Sequence, residues 1–183
     1  MNKATLPILP SLLAICSLVL SVAPALGQAA AGDKPKPLAA SDKKFIKDAG
    51  DSLYYVLKLA DMGKKSKDEG TKKVSDAINT DGNKIWEELA THAQKHDEKL
   101  PIDLSGSDKS SVERLGKVKE DKQDKPLLKE LSKEVKKLAQ TFETVGKSGQ
   151  DADIKAFGEK WAAPLKTHLE SADKAEAEAG KRK

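Results

Sequence analysis

TKKVSDAINTDGNKIWEELATHAQKHD, residues 71–97, carries the pattern that sets the fold. Val74, Ile78, Asp81, Ile85, Leu89, His92 and His96 recur every three or four residues. On a helical wheel they fall within about 40° of the direction of Ile85, so the stretch reads as an amphipathic helix. Gly70 precedes it and Pro101 stops it.

The same period continues on both sides. A first helix over about 42–66 aligns Phe45, Ile46, Ala49, Leu53, Val56, Leu57 and Ala60, with Ser41 or Asp42 as its N-cap. A third starts at Pro126, a favoured first-turn residue, and runs to about 146 with Leu128, Leu131, Val135, Leu138, Ala139 and Phe142 on one face. Gly146 and Gly149 break the chain, and Asp151 opens a fourth helix with Ile154, Phe157, Trp161, Leu165, His168 and Ala172 aligned. Pro164 is expected to kink it.

No strand period interrupts the series, so the fold class is all-α, a four-helix bundle over 41–178 followed by a basic tail, 179–183. The connection 98–124 is long for neighbouring helices and holds a short helix over 108–119 around Val112, Leu115 and Val118. A connection of that length predicts a crossover between helices 2 and 3, which makes them parallel, the ferritin-like connectivity. His168 then lies beside Leu128 and Leu131, level with Val74–Ile78, about 27–33 Å of helix from His96. An up-down-up-down bundle would instead gather all three histidines at one end.

The N-terminus has a different character. Lys3, the apolar run Leu6–Leu20 and the small residues Ala25 and Gly27 match a secretory signal, residues 1–27, cut after Gly27 or Ala29. Prolines and the short run argue against a stable membrane span. Cys16 is the one cysteine, and Ile15 before it does not suit lipidation. Its removal with the signal leaves no disulfide, thiolate ligand or cysteine nucleophile. Residues 28–40, rich in Ala, Gly, Lys and Pro, read as a disordered tether. These features place the protein outside the cytoplasm, in the periplasm, in the envelope or secreted.

There are 33 Lys and Arg against 29 Asp and Glu, a net charge of +4. The signs interleave, as at 64–69 and 119–125, which describes solvated helix faces and not a nucleic-acid footprint. No Gly-rich phosphate loop or Ser-His-Asp arrangement is present. Trp86 points off the main stripe and could anchor a protein partner or cover the bundle's edge. The sequence does not specify the partner or the oligomeric state.

Four polar residues sit on apolar stripes: Asp81, His92, His96 and His168. His92 and His96, four apart, could both face one zinc or copper ion, but two ligands fall short of the usual three or four. The plainer reading puts them in the last turns of the helix, where the stripe opens to water. His168 is expected to be a hydrogen-bonded core imidazole. Asp81 is a candidate buried carboxylate, satisfied by Lys84, Tyr54 or Tyr55.

Particular stretches carry a family likeness: Ser-Asp-Lys-Lys-Phe-Ile at 41–46, Asp81 with Lys84 and Leu89, Lys-Ser-Gly-Gln-Asp-Ala-Asp-Ile-Lys-Ala-Phe at 147–157, and Ala-Pro-Leu-Lys-Thr-His-Leu at 163–169. Over about 41–173 the chain resembles a family of exported bacterial domains of unknown function, described as outer-membrane or periplasmic ferritin-like helical proteins. The resemblance implies a glutamate midway through helix 1 and Asp-His pairs in helices 2 and 3. Here those places hold Val56, Asp81-Gly82 and Glu134-Val135, and only the helix-4 histidine remains, as His168. If these positions hold metal in relatives, this member has lost the site. The expectation is a non-enzymatic envelope protein with a structural, stress-related or interaction role, without a catalytic residue, metal or cofactor. The alternative is a metal- or haem-binding bundle, with His92, His96, His168 and Asp81 as weak metal candidates and Met62 as a second axial haem ligand to His168.

Overall fold

A computed structural model describes residues 37–181. The expected signal 1–27 with Cys16, most of the tether and the last two tail residues lie outside the described residues. Five helices follow in order: α1 (Ala40–Gly63), α2 (Glu69–Lys95), α3 (Gly106–Gly116), α4 (Glu120–Ser148) and α5 (Ala152–Ala179). No strand occurs among the described residues.

Cross-helix pairs give the helix directions. Tyr54 lies on Trp86 with ring centroids 5.7 Å apart, and Asn79 Nδ2 donates to Asp61 Oδ1 at 2.9 Å, so α1 and α2 are antiparallel. Phe45 meets Phe142 at 5.2 Å and Tyr55 reaches Glu130, so α1 and α4 are antiparallel. Lys166 pairs with Glu143 at 2.9 Å and Ser132 bonds Asp173, so α4 and α5 are antiparallel. The helices pack in the cyclic order α1, α2, α5, α4, and α2 and α4 run the same way on opposite corners. Residues 96–119, with α3 among them, therefore carry the chain from one end of the bundle to the other.

The core is aliphatic and aromatic, from Phe45, Ile46, Leu53 and Leu59 of α1 to Leu131, Leu138 and Phe142 of α4 and Phe157 and Leu165 of α5. Phe45, Phe142 and Phe157 meet edge to face at one level. Leu38, placed by the sequence in the tether, is buried against this core, so the packed domain begins before residue 41.

Two expected boundaries are corrected. α1 has Ala39 at its N-cap and no side-chain cap. Asp42, fully buried, instead accepts the backbone N–H groups of Gln150 at 3.0 Å and Asp151 at 2.7 Å, tying α1 to the start of α5. α4 begins at Glu120 and not at Pro126, which lies inside it. Tertiary contacts hold the added turns: Ser66 Oγ donates to Asp124, Lys67 pairs with Glu120, and Gln123 Nε2 donates to Leu115 O.

Candidate functional site

On α2 the buried residues are Thr71, Ser75, Ile78, Gly82, Ile85, Leu89 and Ala93. They keep the expected period, but the stripe is turned away from Val74, Asp81, His92 and His96. Small residues form much of the inward face, and hydrophobicity does not flag them. Gly82 is buried because Leu57 packs on it; a Cβ there would meet Leu57 Cδ2 at 2.9 Å. Asp81, His92 and His96 flank this stripe on the side that meets α5, and His168 faces them from α5.

They form a polar seam between α2 and α5. His168 Nε2 lies 3.0 Å from Asp81 Oδ2, and Lys84 Nζ donates to Asp81 Oδ1 at 2.8 Å. One heptad along, Glu88 accepts from Lys160 Nζ at 2.6 Å and Trp161 Nε1 at 3.1 Å. One heptad further, Lys95 pairs with Asp153. Beside it His92 lies on Phe157 with ring centroids 4.9 Å apart. All three histidines of the chain thus sit along one helix pair.

The electrostatics follow from these partners. The hydrogen bond from Lys84 holds the Asp81 carboxyl below the usual range, and the His168 bond adds to it against burial. Burial pushes Glu88 up, but the bonds from Lys160 and Trp161 outweigh it and leave Glu88 lowered. Burial lowers His92, partly offset by the Asp153 charge.

His96 does not face water as expected. Its side chain is 5% exposed, and neither ring nitrogen has a hydrogen-bond partner; Asp151 Oδ2 lies 4.0 Å from Nε2. Asp151 is otherwise engaged as the N-cap of α5, accepting from the Asp153 and Ile154 N–H groups. Neither tyrosine satisfies Asp81: Tyr54 donates to Ile102 O and Tyr55 to Glu130. The Asp81 pairing also puts His168 nearer the histidine pair than expected. Residues 81 to 96 span about 22 Å of helix. Ser132 meets Asp173 across the antiparallel pair, so His168 is level with about Lys137 and not with Leu128 and Leu131, a shift of the α4–α5 register by more than a turn.

The fit for a metal or haem is poor. Val56 and Val135 are buried core residues without a donor, and Gly82 lies under Leu57. Among the described residues no three His, Cys, Asp or Glu are placed to share an ion. Met62 is partly buried against the apolar core, and His168 is engaged by Asp81. Each Asp81 oxygen has a partner, Lys84 on one and His168 on the other, so the arrangement is a hydrogen-bonded carboxylate–imidazole pair.

These features define an all-α helical bundle with one polar seam. The chain belongs to the DUF4142 family, a domain of unknown function, which matches residues 27–175. The bundle is similar to the crystal structure of a DUF305 fragment from Deinococcus radiodurans, with a TM-score of 0.68 and 8% identity over 78% of this chain and 99% of that one. At that identity the likeness speaks for the fold alone. No curated protein matches the chain. No described helix is long and apolar enough to cross a membrane.

Proposed function

We propose that this protein is a non-enzymatic helical-bundle module of the bacterial envelope, with a structural, stress-related or interaction role. The observation that carries the reading is the filling of the middle of the bundle by Val56, Gly82 and Val135, where the resemblance expects a glutamate and two histidines. A packed aliphatic level supplies neither ligand nor general base. The parallel course of α2 and α4 supports a ferritin-like connectivity for this bundle. Its export rests on the signal-like residues 1–27.

Elemental analysis of protein purified from the envelope tests the reading. The expected result is no stoichiometric metal after dialysis; one tightly held iron, zinc or manganese per chain sinks it. N-terminal sequencing is expected to begin near Gln28, and retention of Met1 contradicts export with cleavage. The metal-binding alternative draws on one observation, the two unpartnered ring nitrogens of His96. The haem version predicts a visible absorption band from the purified protein.

A further inference from the structure

The long helices are not equally bound into the bundle. α4 and α5 share the most extensive interface, with their backbones in contact at Gly146 and Gly158. A Cβ on Gly158 would lie 2.6 Å from the Gly146 nitrogen. α4 buries Leu127, Leu128, Leu131, Val135, Leu138, Phe142 and Val145, whereas Ile78, Ile85 and Leu89 are the only large aliphatics fully buried on α2. Of the four helix pairs around the bundle, α2–α5 is the least extensive.

What joins α2 to α5 is mostly the polar ladder. Its lysines are half exposed, with side chains 52% accessible at Lys95 and 58% at Lys160. These two lysine pairs stabilise weakly, and the part-buried Asp81–His168 and Glu88–Trp161 bonds supply more of the ladder's hold. The buried side-chain atoms without a hydrogen-bond partner among the described residues are Ser75 Oγ and both ring nitrogens of His96. All belong to α2 or its C-cap. A buried polar group without a partner costs its full desolvation, which water returns when the group is uncovered. Small residues on the inward face forfeit little apolar burial on leaving. Each of these terms favours departure of the same helix.

We propose that α2 opens as a unit while α1, α4 and α5 stay packed, uncovering the face of α5 formed by Phe157, Trp161 and Leu165. Opening gives up α1–α2, an interface about as extensive as α1–α4, together with the small α2–α5 one, while the remaining helices keep α1–α4 and α4–α5. Detached α2 carries a mid-helix glycine and has no partner surface, so it unravels and its amides exchange. α2 is in this sense the low-stability cooperative unit of the domain.

Native-state hydrogen exchange on the purified protein, followed by mass spectrometry across sub-denaturing urea, tests this. The expected result is a shared opening of α2 amides at lower urea than those of α1, α4 and α5. Ser75→Ala, which removes the unpartnered hydroxyl, should slow α2 exchange by about five-fold or more and leave α4 unchanged. In Trp86→Phe protein, acrylamide quenching of Trp161 should rise at the urea concentration that frees α2. Exchange of α2 only together with α4 and α5, α1 opening with α2, or equal slowing of α2 and α4 by Ser75→Ala each overturns the proposal.

Discussion

Asp81 and His168, 87 residues apart, meet at 3.0 Å across α2 and α5. The pair joins the two halves of the chain at one end of the seam, and Lys84 fixes the other oxygen of the carboxylate. His168→Ala should lower stability by about 1–3 kcal/mol, since it removes a hydrogen bond to a charged group. A double-mutant cycle with Asp81→Ala in urea denaturation checks the coupling. Strictly additive losses would show that the two side chains do not interact in solution.

Asp42 should be worth more than a helix cap. Its buried carboxylate accepts the N–H groups of Gln150 and Asp151, two backbone donors at the α4–α5 turn. Asp42→Ala strands both donors and should cost about 2–4 kcal/mol. Asp42→Asn keeps one acceptor oxygen and should cost less. Thermal denaturation of the two variants gives the order, and equal losses would contradict the assigned role.

Gly158 admits α4 to contact distance. A Cβ there would sit 2.4 Å from Val145 Cγ1 and 2.9 Å from Phe142 O. The obstacle includes backbone, which cannot rotate away, so Gly158→Ala should destabilise by about 1–3 kcal/mol despite alanine's higher helix propensity. Gly106→Ala, with nothing within 4 Å of the added methyl, is the matched control and should be neutral or stabilising. Urea midpoints of the two variants should move in opposite directions or differ by that margin.

Acid should weaken the seam in two stages. The folded value of His92 lies below its ordinary 6.5, so the unfolded chain takes up that proton first. The associated stability is complete above about pH 6.5 and is lost as pH falls through the lowered folded value. Asp81 and Glu88 are also lowered, and their contribution is lost below their ordinary values of 3.8 and 4.5. His92→Phe should flatten the upper stage and leave the lower one. Stability measured by urea denaturation from pH 8 to 3.5 separates them, and an unchanged upper slope in the variant would exclude His92 as its source.

The sequence by itself determined the helices and much of the lining. Three- and four-residue spacing of Phe45, Leu53, Ile85, Leu89, Leu138, Phe142 and Phe157 identifies core positions because a helix turns every 3.6 residues, whatever it packs against. The start of α5 was legible because the Asp151 cap bonds groups two and three residues away. Tertiary structure decided what depends on close approach between distant segments. Gly82, Ser75 and Ala93 are interior because other helices cover them, and no hydropathy value marks a small residue as covered. The six extra residues at the front of α4 exist because Ser66, Lys67 and Leu115 bind them. Asp151 at Asp42 and His168 at Asp81 come from more than 80 residues away, and whether His96 finds a hydrogen bond depends on what packs around it. Local periodicity says which side of a helix is apolar; only the assembled helices decide which polar group meets a partner and which is buried without one.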